Sequence, residues 1–431
     1  MNQSLDSDTL SYSRRIMDAL RLDPVLLALL LVLATFGCLV LYSATGADSA
    51  SVLRQVTRIV VALLLLVAVA NVPLRVIRKF SIWLYLGGVA MLIAVMYFGE
   101  IGKGAQRWLN LGFIRFQPSE ILKLAVPMIV AAYLANRVLP VGWRELLVSA
   151  LLVAVPVLLI ARQPDLGTAI LVGSAGFFVL FLAGVQWRVM IILGVIMSMM
   201  APLLWKFALH DYQRTRILTL LDPESDPLGS GYHIIQSKIA IGSGGVYGKG
   251  WLNGTQSQLD FIPERTTDFI FSVFGEEFGF FGSVVLLLIY LAIIFRGLYI
   301  AAHSTENFGR LLAGALSLTF FVYLFVNTGM VAGMLPVVGV PLPLVSYGGN
   351  SLIISCVLIA ILLRIEFECR EEAELPIRKS LPKTRSIPKQ KLTAERTSTQ
   401  EKMTRGATDK PKKVRAKAKK SEPKTTGAMR I

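Results

Sequence analysis

The chain has 431 residues, of which 54% are hydrophobic and 17% charged, with a net charge of +16 and a mean hydropathy of +0.61. Its apolar residues fall in runs of about twenty, the length that crosses a hydrocarbon core of roughly 30 Å. These figures exclude a soluble globular enzyme, a disordered protein and a disulfide-rich secreted module, and they predict an all-α polytopic membrane protein.

The charge is unevenly spread. Between Arg370 and Ile431, 19 lysines and arginines face 7 aspartates and glutamates, a net +12. A basic tail behind a membrane body is expected in the cytoplasm against anionic lipid. A solvated, disordered tail without a specific partner explains it as well, and no nucleic-acid partner is expected. Cys38 and Cys356 fall inside apolar runs and Cys369 begins the tail, so all three read as buried or reduced thiols. The segment 1–23 is polar, carries Arg14, Arg15 and Arg21, and lacks the pattern of a cleavable signal, so the first apolar run is expected to act as a signal anchor.

In chain order the predicted spans are about 24–44, 54–73, 80–98, 119–137, 145–162, 166–185, 188–207, 267–295, 309–333 and 346–365, about ten transmembrane helices. Three regions follow: a cytoplasmic N-terminal segment 1–23, a membrane domain 24–366, and a basic, disordered cytoplasmic tail 367–431. Arg75, Arg78 and Lys79, Arg137 and Arg144, Arg188, and Arg296 and Arg310 share the N-terminal side when both termini are cytoplasmic. Lys103, Arg107 and Arg115 fall on the opposite side, so the charge rule holds statistically. A large outer loop, about 208–266, joins the seventh and eighth spans; within it, His233–Gly242 is short and amphipathic and suits a helix on the membrane surface. No internal repeat is found, which weakens an inverted-repeat transporter.

Ionisable residues at membrane depth need a reason. Glu120 and Lys123, in Gln117-Pro118-Ser119-Glu120-(x2)-Lys123, are three apart and share a helix face, as a cavity wall or as a structural pair; the two readings are compatible. Asp165, after Pro164, reads foremost as an N-cap. The glycine-rich stretch Gly242–Gly254 reads as a flexible loop, with a pyrophosphate cradle as the functional alternative. Asp268 stands where a polar loop enters an apolar helix, as an N-cap or as a general base at a water-accessible rim. Glu276 and Glu277 lie deeper in the same span and are expected to neutralise a cation from another helix. The prolines and glycines of Pro341–Ser351 favour a re-entrant loop at a site. No metal-ligand spacing is present. The ionisable residues gather on the outer side, with no chain of charges through the membrane, as an enzyme acting on a lipid-linked substrate requires.

These residues resemble the SEDS family (shape, elongation, division and sporulation), which includes RodA and FtsW. The resemblance covers about residues 20–366 and rests on Arg107-Trp108, the Gln117–Lys123 run, Gln163-Pro-Asp-Leu-Gly-Thr, Ile241-Gly-Ser-Gly-Gly, Pro263-Glu-Arg-Thr-Thr-Asp-Phe-Ile-Phe, Gly275-Glu-Glu-Phe-Gly and Pro343-Leu-Val-Ser-Tyr-Gly-Gly. Gly254-Thr-Gln-Ser-Gln-Leu and Pro263-Glu-Arg are similar to the elongation branch, that of RodA. Thr266 departs from a common histidine, and Asn350 from a common serine or threonine.

The resemblance implies a peptidoglycan glycosyltransferase of the bacterial cytoplasmic (inner) membrane that polymerises lipid II at its outer face during cell elongation, with a class B penicillin-binding protein and other elongation-complex proteins as partners. Asp268 matches the family's essential aspartate, and Glu120 and Lys123 its paired cavity charges. Arg107, Gln117, Arg265 and Ser346 complete the expected substrate-binding set. Any divalent cation, magnesium or manganese, would arrive on the substrate's pyrophosphate. A lipid II flippase and a non-catalytic scaffold for the penicillin-binding protein are the rival readings.

Overall fold

The computed structural model describes residues 23–102, 105–110, 115–207, 211–226 and 229–380. Residues 1–22 of the expected N-terminal segment, Lys103 and the tail beyond Ser380 lie outside the described residues. The chain divides into two units, Met1–Glu374 and Leu375–Ile431. The packing below belongs to the first.

The described helices are α1 Pro24–Ala44, α2 Ser49–Ala70, α3 Leu74–Phe98, α4 Pro118–Leu134, α5 Trp143–Arg162, α6 Leu166–Leu182, α7 Trp187–Phe207, α8 Asp211–Leu221, α9 Ser230–Gly244, the short α10 Thr255–Gln258, α11 Ile270–His303, α12 Asn307–Val331 and α13 Gly349–Ser380. Each apolar run of the sequence coincides with a helix. Six of them, α1, α2, α3, α5, α11 and α12, are long and apolar enough to cross a membrane.

Local chemistry sets the helix starts. Asp23 caps α1, accepting from Val25 N at 3.1 Å with Pro24 at the first helical position, and Asp48 caps α2 through Ala50 N and Ser51 N. α12 lies centrally and is buried on most of its surface, through Leu312, Leu316, Phe320, Leu324 and Asn327. α2, α3 and α5 instead expose Leu64, Trp83 and Leu158, as lipid-facing helices do.

Four differences from the sequence reading have physical causes. The fold is not purely helical: Glu100–Gly102 (β1), Ala105–Asn110 (β2) and Arg115–Phe116 (β3) form a small antiparallel sheet, too short to show periodicity. The 208–266 loop carries α8, α9 and α10. Helix α9 does not lie free on a surface, because Ile234, Ser237 and Ala240 are buried and Ser237 Oγ donates to Val331 O at 2.8 Å. The last helix runs to Ser380, well past the expected end of the membrane domain, and its Glu366 and Glu368 pair with Arg296 and Arg364.

The fourth concerns the glycines. α11 breaks at Gly279 (φ 66°, ψ −162°), and the stretch after α9 fills the break. Lys249 N and Gly250 N donate to the Glu276 and Glu277 carbonyls at 3.0 Å each, while Phe280 N and Phe281 N donate to Gly245 O and Val246 O. Gly248 (φ +80°) packs so close that a Cβ there would lie 2.0 Å from Glu277 O. The glycines therefore serve a backbone-to-backbone joint, not a pyrophosphate cradle.

Candidate functional site

A cavity of about 1340 Å³ opens where α4, α6, the turn before α11 and the segment before α13 meet. Arg107, Gln117, Glu120, Lys123 and Asp268 line it, as does Asp165. Five of the seven residues expected at the site thus line one cavity, brought together from two distant stretches of chain, 107–123 and the turn at 268.

Asp268 is not an N-cap. Helix α11 starts at Ile270, with Phe269 in the cap position and no side-chain cap bond. The preceding turn is closed by Thr267 N and Phe269 N donating to Glu264 O, with Glu264 at φ +58°. Its outward carbonyls are pinned in succession. Tyr347 N donates to Thr266 O at 2.9 Å, Ser346 Oγ to Thr267 O at 2.6 Å, and Asn327 Nδ2 to Asp268 O at 2.9 Å. Gly339 (φ +74°) leaves the carboxylate its space, since a Cβ there would stand 3.2 Å from Asp268 Oδ2.

In the same cavity lining, Lys123 Nζ and Glu120 Oε1 are 2.6 Å apart on one face of α4, both buried, and Lys123 lies 5.3 Å from the centroid of Tyr323. Asp165 is the N-cap of α6, accepting from Thr168 N and from Thr168 Oγ1 at 2.9 Å. Its second oxygen also accepts from Gln117 Nε2 at 3.2 Å, and Arg107 Nε lies 3.7 Å away. Arg107 also donates to Pro164 O, so β2, α4 and α6 are tied together at the rim.

Two expected substrate contacts are corrected. Arg265 does not line the cavity; its guanidinium is held by Asp260 and the Ala44 carbonyl. Ser346 is buried, and its hydroxyl is spent between Leu342 N and Thr267 O, so it positions the Asp268 turn rather than meeting a ligand. Glu276 takes its cation, Lys249, from the loop rather than from a helix, at 2.7 Å, and it caps α10 through Gln256 N. Glu277 accepts from Ser43 of α1.

Sequence reasoning missed Arg58, Arg216, His233 and Asn327. Arg58 faces the cavity and lies 4.4 Å above the Tyr347 ring; its signal was an arginine just inside the second apolar run. Arg216 lines the cavity and donates to Val337 O at 3.0 Å, and His233 stacks on Phe269 with centroids 5.4 Å apart. Among the described residues, no group of three or more histidine, cysteine or carboxylate side chains is arranged to hold a metal. The cavity is lined by a carboxylate and by several cations, Arg58, Arg107, Lys123 and Arg216, which suits proton abstraction beside a developing polyanion.

The family model FTSW_RODA_SPOVE, described as a cell cycle protein, matches residues 23–371. The chain is 54% identical to the peptidoglycan glycosyltransferase MrdB of Escherichia coli K12 over 337 residues, 78% of this chain and 91% of that one. It is 37% identical to the probable peptidoglycan glycosyltransferase FtsW of Tolumonas auensis, over 71% of this chain and 80% of that one. Among solved structures it resembles a chain from work on the structural coordination of polymerization and crosslinking by a peptidoglycan synthase complex. That match has a TM-score of 0.71 and 31% identity, covering 80% of this chain and 98% of that one. The rod shape determining protein RodA of Thermus thermophilus superposes with a TM-score of 0.60 and 29% identity, over 80% of this chain and 96% of that one. With the match running through nearly the whole described membrane body, the chain belongs to the FtsW, RodA and SpoVE family of cell cycle proteins.

Proposed function

We propose that this membrane protein is a peptidoglycan glycosyltransferase that polymerises lipid II during cell elongation. It would work at the outer face of the bacterial cytoplasmic membrane, with ten spans and both termini in the cytoplasm. The observation that carries the reading is the setting of Asp268: a carboxylate at a cavity wall, on a turn whose three successive carbonyls are fixed by neighbouring segments, in a cavity that Lys123 and Arg107 also line.

Asp268 takes the proton of the 4-hydroxyl on the acceptor's N-acetylglucosamine. That oxygen bonds to C1 of the donor's N-acetylmuramic acid. The bond from C1 to the pyrophosphate oxygen breaks, and its electron pair leaves with undecaprenyl pyrophosphate, inverting C1. The charge that grows on the leaving group needs fixed positive groups nearby, which Lys123, Arg107, Arg58 and Arg216 supply from the cavity wall. Magnesium or manganese would enter as part of the substrate, on its pyrophosphate. A class B penicillin-binding protein is the proposed partner that crosslinks the product, alongside other elongation-complex proteins.

Labelled lipid II, supplied to the purified protein with that partner and the partner's crosslinking serine blocked, tests this. Long glycan strands from the wild type and none from a folded Asp268→Asn variant are expected. Equal strands from both remove Asp268 as the base. No strands from either, with lipid II crossing vesicle membranes, favour a flippase.

A further inference from the structure

At the end of the bundle away from the catalytic cavity, the seam between α3 and α4 opens into a second hollow of about 470 Å³. Deeper in the seam the two helices touch closely, since a Cβ on Gly88 would lie 2.9 Å from Leu122. Towards the start of α3 the facing residues change character. Arg75, Arg78, Lys79 and Ile82 stand at the i, i+3, i+4 and i+7 positions of α3, opposite Ile129, Ala132 and Tyr133 of α4 and Asn136 in the turn that follows it. These are the positions that two packed helices normally fill with apolar side chains. Here one wall is cationic and the other apolar.

The cations are not used up by the protein. Arg78 Nη2 donates to Asn136 Oδ1 at 2.6 Å, which draws one guanidinium across the mouth without neutralising it. Arg75 and Lys79 are exposed and form no ion pair or hydrogen bond with the described residues. Arg137 adds a fourth cation, 5.3 Å from the Tyr133 ring. The backbone amide that opens α3 is already taken, by Glu368, so the hollow does not owe its character to a helix terminus. Ile82, half exposed, continues the apolar wall towards the lipid-facing side of α3.

We propose that this hollow is a binding site for an anionic phospholipid of the cytoplasmic leaflet, with the phosphate between Arg75, Arg78 and Lys79 and an acyl chain along Ile82 and Ile129. A charged rim above an apolar groove matches a molecule with a phosphate joined to a hydrocarbon chain. A soluble anion would leave the apolar wall exposed, and a zwitterionic lipid would bring its own cation against three others. Assignment to the cytoplasmic leaflet rests on the orientation proposed above.

The test uses the full chain in nanodiscs of phosphatidylcholine carrying a trace of spin-labelled phosphatidylglycerol or spin-labelled phosphatidylcholine, read as the motionally restricted fraction. The wild type should retain phosphatidylglycerol in preference to phosphatidylcholine. Arg75→Gln with Lys79→Gln should lower that preference several-fold with an unchanged melting temperature, because neither side chain has a partner to lose among the described residues. Arg144→Gln with Arg188→Gln, which removes two cations of the same side outside the hollow, should leave it intact. An unchanged preference in the first variant, or an equal loss in the second, overturns the site. Displacement of the label by inorganic phosphate as complete as that by unlabelled phosphatidylglycerol gives the hollow to a free anion instead. Polymerisation without lipid preference overturns this inference alone, whereas lipid preference in a protein that makes no glycan leaves the site and overturns the proposed activity.

Discussion

Asn327 Nδ2 lies 2.9 Å from the carbonyl oxygen of Asp268 and, through its second hydrogen, 2.7 Å from that of Val340. One buried amide thereby joins α12 to the turn carrying the proposed base and to the segment that bounds the cavity beside it. The amide orientation is fixed by chemistry, because both neighbours are acceptors and only the nitrogen can donate to them. The turn that carries the Asp268 carboxylate is thus held in part by a residue outside the cavity lining.

Replacing Asn327 should therefore act on both stability and rate. Asn327→Ala leaves two buried carbonyls without their donor, each worth about 1–3 kcal/mol. Asn327→Asp keeps the shape but sets an oxygen against both carbonyls, and should melt lower still. Thermal unfolding in detergent checks the order wild type, Ala, Asp. Polymerisation by whatever fraction remains folded should fall with it, in kcat more than in KM, since the loss is of alignment rather than of a substrate contact.

Asp268 itself should separate chemistry from folding. Its side chain caps no helix, so Asp268→Asn should keep the wild-type melting behaviour while glycan synthesis drops by about 10²–10⁴-fold. Gly339→Ala should lower activity by crowding the same carboxylate, with a stability cost from the positive φ. A Gly339→Ala protein with full activity would show that Asp268 can move without consequence.

The glycine joint makes a prediction with an internal control. Gly248→Ala forces a Cβ against the Glu277 carbonyl at a positive φ and should cost at least the roughly 1–2 kcal/mol of a left-handed L-residue. Gly242→Ala, in the exposed face of α9 with nothing within 4 Å, should instead stabilise by about 0.5–1 kcal/mol. The sequence shows both only as members of one glycine-rich stretch. Opposite shifts in melting temperature would establish that the stretch is two structures, a helix end and a joint.

Much of this site was legible before any coordinates. Apolar runs mark the helices because the bilayer demands length and hydrophobicity together, and charges within them are rare enough to single out Glu120, Lys123 and Asp268. Asp165 reads as an N-cap because proline, aspartate and an apolar run stand in that order. Other features depend on partners far away in sequence. Whether Ser346 meets substrate or the Thr267 carbonyl, whether Arg265 faces the cavity or Asp260, and whether Gly248 bends freely or touches Glu277 are all decided by packing between distant segments. Arg58 and Asn327 did carry a signal, a polar residue inside an apolar run, but the strength of the surrounding hydropathy hid it.

Acid should probe the opposite end of the bundle. Burial pushes the Asp23 carboxyl up, but bonds from Arg296 and Val25 N outweigh it and bring it below the ordinary aspartate value. A depressed folded-state value means stability that is present above the unfolded aspartate pKa of about 3.9 and is lost as the pH falls through the folded value. Asp23→Asn should lower the melting temperature at neutral pH and flatten its decline below about pH 4. A parallel decline in both proteins would assign the acid sensitivity to other carboxylates.

The Glu120–Lys123 pair poses the sharpest choice, because a structural pair and a substrate contact predict different double variants. Both side chains are buried, so Glu120→Gln alone leaves an ammonium, and Lys123→Met alone a carboxylate, without its counter-charge. Breaking a buried pair from one side typically costs about 3–5 kcal/mol, whereas replacing both partners is often near neutral. Each single variant should therefore melt well below wild type, and Glu120→Gln with Lys123→Met should recover most of the loss. If the pair serves only the fold, glycan synthesis recovers with stability. If Lys123 compensates the leaving pyrophosphate, as proposed, the double variant is stable and still nearly inactive, since no neutral side chain can meet the charge that develops there.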